Sequence, residues 1–255
     1  MLNFAVSLAY EAGKILRDNF GREITINAKG EGYINLVTEI DLLSENFIKE
    51  QIASHFPKHQ ILAEEGGMTA TASDYCWIVD PLDGTTNYAH GYPVFAVSIA
   101  LARAGEPILG VVYDPMRDEI YVAESGAGAT LNNRRIRVSE TTQLAESLLV
   151  TGFPYDIKTS PENNLNHFAR FSLAARAIRR DGSAALDLCY TAAGRFDGFW
   201  EMKLGPWDAA AGALIVTEAG GYVTKFDGSP FDLYKGELLA TNGLIHEEML
   251  QVLRS

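Results

Sequence analysis

The sequence predicts a mixed protein, an α+β unit that runs on into a layered α/β unit. Three observations point there. Two amphipathic stretches open the chain, a series of strand-like segments with tight turns follows, and after about residue 145 strands and helices alternate to the end. Phe4, Leu8, Ala12, Ile15 and Leu16 recur at helical spacing, so residues 3–20 read as a helix stopped by Gly21. Residues 24–28 suit a short strand, and Lys29-Gly30-Glu31-Gly32 a charged turn. Thr38 is a good N-cap for a second helix, which carries Ile40, Leu43, Phe47, Ile48 and Ile52 on one side and closes at Pro57. Strands are expected at 60–64, 75–80, 94–102, 107–114, 118–123 and 135–138, with turns such as Ala104-Gly105-Glu106 and Asn132-Asn133 between them. They should form an antiparallel sheet with helices on one face. Strands at 147–152, 176–180, 197–201, 221–225 and 237–241 then alternate with helices at 162–175, 184–194, 208–219 and 243–253. The expected division is residues 1–145 and 146–255. No low-complexity linker separates the two, so their interface should be packed.

At 255 residues and 47% hydrophobic, the chain can bury a large core. Its formal net charge of -12 leaves no basic stripe for nucleic acid. An anionic substrate is still compatible with that charge, because a bound divalent cation can reverse the local sign. Cys76 and Cys189 each sit in an apolar run and read as buried thiols, not as a disulfide framework. The N-terminal stretch lacks a signal-peptide pattern and no segment is apolar enough to span a membrane, so a cytoplasmic protein without membrane contact is expected.

The most informative stretch is Asp80-Pro81-Leu82-Asp83-Gly84-Thr85-Thr86-Asn87, which follows the apolar strand Tyr75–Val79. It offers two carboxylates at a strand end, a sharp turn at Pro81 and Gly84, and amides at Gly84, Thr85 and Thr86 that can face an anion. Its plainer reading is an Asx-rich turn with Asn87 as a cap. Glu64-Glu65 follows another short apolar run, and Trp207-Asp208 opens a helical one. The first pair can be a solvated turn or a ligand pair; Asp208 can be a helix N-cap, a ligand, or both. If these carboxylates converge, like charge raises their pKa values unless divalent cations sit among them. All-oxygen ligation suits magnesium, and the scattered histidines give no zinc spacing.

Together the Glu64-Glu65 pair, the octapeptide at 80–87 and Trp207-Asp208 resemble the inositol monophosphatase family of lithium-sensitive, magnesium-dependent phosphatases. Gly182-Ser183-Ala184-Ala185 and Thr217-Glu218-Ala219-Gly220-Gly221 extend the resemblance along the chain. It implies an αβαβα sandwich of the sugar-phosphatase type, with the active site between the halves. It also implies two to three Mg²⁺ ions: Glu64, Asp80 and the Leu82 carbonyl at the first, Asp80, Asp83 and Asp208 at the second, Glu64 again at a weaker third. Asp41 and Thr85 would orient and deprotonate a water, with Glu65 helping to order waters. Phosphate would lie on the amides of Gly84 and Thr85, and polyol hydroxyls would meet Asp83, Gly182, Ser183, Ala184, Glu201 and Asp208. Arg179-Arg180 can be a second phosphate contact or a surface or dimer-interface pair. Where the family often carries Asp this chain has Asn35, which should weaken the third ion site. The loop at 153–165 can shape specificity.

The resemblance implies hydrolysis of a small phosphorylated polyol or sugar, inositol 1-phosphate first and fructose 1,6-bisphosphate next, by a homodimer. A mainly scaffolding role in a transcription complex is the alternative from another class.

Overall fold

The computed structural model describes residues 1–28 and 36–255. Helices α1 (Leu2–Asn19) and α2 (Glu39–His55) pack on each other, and between them strands β1 (Ile26–Ala28) and β2 (Leu36–Thr38) pair antiparallel. The expected turn at 29–32 and Asn35 lie outside the described residues. Thr38 does cap α2. Its hydroxyl accepts from the amides of Ile40 and Asp41, and the Asp41 carboxylate accepts from the Thr38 amide, a reciprocal capping box.

Strands β3 (Gln60–Ala63), β4 (Gly67–Met68) and β5 (Tyr75–Asp83) come next, then the short helix α3 (Thr85–Ala89). They are followed by β6 (Ala96–Arg103), β7 (Glu106–Asp114), β8 (Glu119–Glu124), β9 (Gly128–Leu131) and β10 (Arg134–Arg135). The eight strands from β3 to β10 form one sheet in the order β10-β9-β8-β7-β6-β5-β3-β4. It is mixed, not antiparallel throughout, because β3 and β5 run parallel with β4 folded back outside them. The strand expected at 135–138 ends at Arg135, since the Val138 amide leaves the ladder and donates to the Ala219 carbonyl. Residues 128–131 pair as a strand even though Gly126 and Gly128, both at positive φ, read as turn signals.

The second half supplies β11 (Leu148–Thr151), α4 (Leu165–Ala174), β12 (Ala177–Arg179), α5 (Ala184–Ala192), β13 (Gly198–Glu201), α6 (Pro206–Glu218), β14 (Tyr222–Thr224), β15 (Leu238–Thr241) and α7 (His246–Arg254). Its five strands order as β12-β11-β13-β15-β14, the first three parallel and the rest antiparallel.

Three buried clusters fill the spaces between five layers. α1 and α2 cover one face of the large sheet through Leu8, Leu16, Ile48, Trp77 and Ile99. α5 and α6 fill the space between the two sheets through Leu186, Leu188, Ile215, Phe199 and Val112. α4 and α7 close the far face of the small sheet through Phe171, Trp200, Leu239 and Met249. The large sheet therefore carries helices on both faces, not one. α6 is apolar almost all round because each side meets protein, as expected for a helix held between layers. The layering is αβαβα. Cys76 and Cys189 are both buried free thiols, and Phe95, Phe199 and Trp200 are core side chains.

Candidate active site

β5 ends in an irregularity that sets up the cleft. Asp80 pairs with Ser98 and Asp83 with Ala96, so the strand carries one residue more than its partner across that interval. Residues three apart in a regular strand point to opposite faces; one extra residue brings both carboxylates to the same side. Pro81 has no amide to give the ladder, which favours the bulge here. Neighbouring groups then fix it. The Ser44 hydroxyl donates to the Pro81 carbonyl at 3.0 Å, and the Leu82 amide donates to Asp80 Oδ1 at 3.0 Å. Gly84 follows at φ 96°, and a Cβ there would lie 2.9 Å from the Val94 carbonyl oxygen, so both backbone angle and space require glycine.

Asp208 reaches the same spot from the first turn of α6. Carboxylate oxygens of Asp80, Asp83 and Asp208 all lie within 4.8 Å of one another. Asp208 is not the N-cap. Gly205 holds that position with Pro206 next, and Asp208, three residues on, accepts from the Gly205 amide at 2.6 Å. Ser98 on β6 donates to the Trp207 carbonyl, tying this helix start to the large sheet.

Asp83 is also held from the other half. Ser183, the N-cap of α5, donates its hydroxyl to Asp83 Oδ2 at 2.5 Å, and the Ala185 amide donates to the same oxygen at 2.8 Å. Asn87 does not cap a helix. Its side-chain amide donates to the carbonyls of Val94 and Asp181, joining the two walls. Thr85 Oγ1 lies 2.9 Å from Asp41 Oδ1 and 3.1 Å from the Leu82 carbonyl oxygen, with a proton for one of them at a time. Asp41 is fully buried and its other oxygen takes the Thr38 amide and hydroxyl.

The electrostatics follow from burial and crowding. Burial, then the like charges of Glu64, Asp83 and Asp208, holds the Asp80 carboxyl well above the carboxylate range. Burial, then Asp83 and Glu64, does the same to Asp208. Asp83 is pushed up to about 6 by burial, against the donors Ser183 and Ala185. Burial likewise raises Asp41, opposed by Thr38 and Thr85. Glu201, the last residue of β13, is pushed up to about 8 by burial, with Arg180 opposing and Asp83 adding. Among the described residues no Lys or Arg forms an ion pair with Asp80, Asp83 or Asp208. Three crowded carboxylates and a backbone carbonyl at the bulge, with no Lys or Arg among the described residues ion-paired to those carboxylates, make a hard-oxygen set that fits a divalent cation such as Mg²⁺.

Every residue expected at the substrate lines one open cleft: Asp83, Gly84, Thr85, Gly182, Ser183, Ala184, Glu201 and Asp208. Glu64 follows β3 and is close enough to raise Asp80 and Asp208. Glu65 is half-buried, and its amide donates to Glu45 Oε2 at 2.8 Å. Arg180 lines the cleft, whereas Arg179 is an exposed residue ending β12. Among the cleft residues that escaped the sequence reading are Tyr155 and Asp187. The Phe153-Pro154-Tyr155-Asp156 stretch was legible as a loop that can shape specificity, but no spacing singles out its tyrosine. Asp187 is buried on α5 with Oδ1 meeting no hydrogen-bond partner, and looks from the sequence like any polar residue of a helix.

The whole chain, residues 1–255, matches the model of the inositol monophosphatase family. It is 47% identical over 253 residues to an inositol-1-monophosphatase of Synechocystis, covering 99% of this chain and 88% of that one. It is 42% identical over 255 residues to the Nus factor SuhB of Escherichia coli, covering 100% of this chain and 96% of that one. The solved inositol monophosphatase of Anabaena superposes with a TM-score of 0.90 at 45% identity, covering 99% of this chain and 94% of that one. The chain belongs to the inositol monophosphatase family, metal-dependent enzymes, and is a phosphoric monoester hydrolase.

Proposed function

We propose that this protein hydrolyses the monoester of a small phosphorylated polyol, inositol 1-phosphate first, with two to three Mg²⁺ ions in the cleft. The observation that carries this reading is the meeting of Asp80, Asp83 and Asp208 beside the Asp41–Thr85 pair in a cleft lined by Glu201 and the start of α5. Glu64, Asp80 and the Leu82 carbonyl would hold one ion; Asp80, Asp83 and Asp208 a second; Glu64 a third. When bound, the ions supply an activated water and charge for the departing oxygen.

The chain's own residues do the rest. Asp41, sealed behind Thr85, accepts the Thr85 proton, which leaves the Thr85 oxygen to take a proton from the attacking water. Glu65 helps to order waters. The amides of Gly84 and Thr85 face the phosphate, with the α3 start behind them. Asp83, Gly182, Ser183, Ala184, Glu201 and Asp208 meet polyol hydroxyls, and the raised Glu201 carboxyl can donate as well as accept below about pH 8. No protein nucleophile is needed, so no phosphoenzyme is expected. The division at residues 145 and 146 follows the change from the large sheet to the small one. A cytoplasmic homodimer without nucleic-acid contact completes the reading; no helix among the described residues is long and apolar enough to cross a membrane.

Phosphate release from inositol 1-phosphate and fructose 1,6-bisphosphate, measured with Mg²⁺ and with chelator, tests it. Metal-dependent turnover of the first supports the reading. Preference for the bisphosphate moves the specificity to Arg180. No release from either by folded, Mg²⁺-replete protein rejects polyol phosphatase activity. A second reading, a protein contact in a transcription complex, is favoured by the likeness to a Nus factor. Loss of cellular function on Asp83→Ala with folding intact would speak for catalysis; retained function would speak for the contact.

A further inference from the structure

Tyr155 stands where the cleft meets a second cavity. The first holds Asp83, Thr85, Glu201 and Asp208; the second holds Leu36, His90 and Ile157; Thr86, Tyr155 and Arg180 line both. Its segment starts at Gly152, whose Cβ, were there one, would lie 2.1 Å from Glu201 Oε1. Tyr155 therefore shares a wall with Glu201. A turn closed by the Ile157 amide on the Pro154 carbonyl at 3.0 Å presents it, and Lys203 Nζ ties the turn down through Asp156 at 2.6 Å and Ser160 at 2.9 Å. The residue is 56% exposed, yet its phenol is held above the ordinary range by burial and then by Asp208, Glu64, Asp83 and Asp80. The partly exposed side chain lines the same cleft as Asp83 and Asp208.

The donor balance of the cleft gives this hydroxyl a task. A polyol hydroxyl that donates to Glu201 or Asp208 keeps its own lone pairs, which need donors. The side-chain donors along the wall are largely engaged. Ser183 donates to Asp83, Thr85 sits on Asp41, and Lys203 is engaged with Asp156 and Ser160. Arg180 is a fork better matched to phosphate oxygens. Among the described residues none accepts from the Tyr155 phenol.

We propose that Tyr155 is a specificity-determining residue, its phenol donating a hydrogen bond to a hydroxyl oxygen of the polyol held along the Glu201–Asp208 wall. The inference rests on the polyol-phosphatase reading above and adds the residue that reads the polyol.

The test compares wild type with Tyr155→Phe, which removes the hydroxyl alone, on inositol 1-phosphate and on p-nitrophenyl phosphate with Mg²⁺. The second ester has no polyol. For inositol 1-phosphate kcat/KM should fall about three- to tenfold, mostly through KM, as for one lost neutral hydrogen bond. For p-nitrophenyl phosphate it should stay within about twofold of wild type. Saturation-transfer NMR with free inositol gives a readout apart from turnover, and its signal should weaken in the variant. Equal losses on both esters, or no loss with an unchanged inositol signal, overturn the proposal. Since the ring stays in place the variant should melt with wild type, which separates a lost contact from a lost fold. If wild type cleaves p-nitrophenyl phosphate but neither inositol 1-phosphate nor fructose 1,6-bisphosphate, the polyol reading itself is wrong and the Tyr155 contact goes with it. If wild type cleaves inositol 1-phosphate and Tyr155→Phe is indistinguishable, only the Tyr155 contact is wrong.

Discussion

Asp83 and Tyr155 face the same cleft from strand ends, but they are held by different means. Asp83 closes β5 of the large sheet, and Ser183 and the Ala185 amide fix one of its oxygens. Tyr155 lies four residues beyond the end of β11, on a turn tied down by a half-exposed Lys203–Asp156 pair. Buried donors to a carboxylate fix its position to a fraction of an ångström; an exposed ion pair contributes at most about 1 kcal/mol and leaves room to adjust. The chemistry belongs with the first kind of support and the choice of substrate with the second. Changes around Asp83 should strike kcat, and changes around Tyr155 should strike KM.

The largest effect is expected at Asp80. Asp80→Asn should lower Mg²⁺-dependent turnover on the order of 1000-fold, comparable to deleting a group that stabilises charge at the reacting centre. It should also raise the melting temperature of metal-free protein, because it removes a charge pressed by Glu64, Asp83 and Asp208. A lower melting temperature would mean that the crowding is not felt. Thr85→Val should cost about 100-fold in kcat with KM little changed, since the hydroxyl's links to Asp41 and the Leu82 carbonyl are lost while the backbone amide stays; a change confined to KM would move Thr85 to substrate binding. Gly84→Ala should destabilise by about 2–3 kcal/mol through its left-handed backbone and the Val94 carbonyl, read as a denaturation midpoint.

Next comes pH. Folding raises the carboxyls of Asp80, Asp83, Asp208 and Glu201, so the native state binds more protons than the unfolded one above about pH 4. Metal-free stability should therefore fall as pH rises from about 4 through 6, where Asp83 titrates, to about 8, where Glu201 does. Saturating Mg²⁺ should flatten the fall, because it favours the ionised forms. Melting curves at pH 5, 6.5 and 8 with and without Mg²⁺ would show it, and a metal-free melting point that climbs over this range would contradict it. Smallest is Lys203→Ala, expected to cost a few tenths of a kcal/mol and to raise KM less than about threefold. A tenfold rise would show the turn to be more rigidly positioned than its exposure suggests.

Much of this site was legible in the sequence, for reasons that differ by residue. Thr38 was legible as an N-cap from its local sequence, whereas Asp41 came from the family resemblance; the capping box that joins them appears only in the structure. The carboxylates of 80–87 and Asp208 stood out because strand ends and helix starts are visible in a single chain. The bulge that turns Asp80 and Asp83 to one side was not, because it depends on which strand β5 pairs with. Asp208 looked like an N-cap because Gly205, which holds that place, has no side chain to mark it. β9 hid behind Gly126 and Gly128, and only pairing with β8 makes it a strand. Tyr155 and Asp187 depend on contacts between distant segments, which local spacing does not report.

The separations along the chain at the site have a kinetic meaning. Ser183 and Asp83 lie 100 residues apart, Asn87 and Asp181 94, and Ser98 and Trp207 109. Closing such loops costs entropy before any contact repays it, so these links should form late. A chain still emerging from the ribosome can complete much of its large sheet while Asp80 and Asp83 wait for Ser183 and Asp208. The acidic cluster is thus assembled only after Asp208 has emerged. An ion that prefers the finished cluster would then draw the last stage of folding forward by mass action.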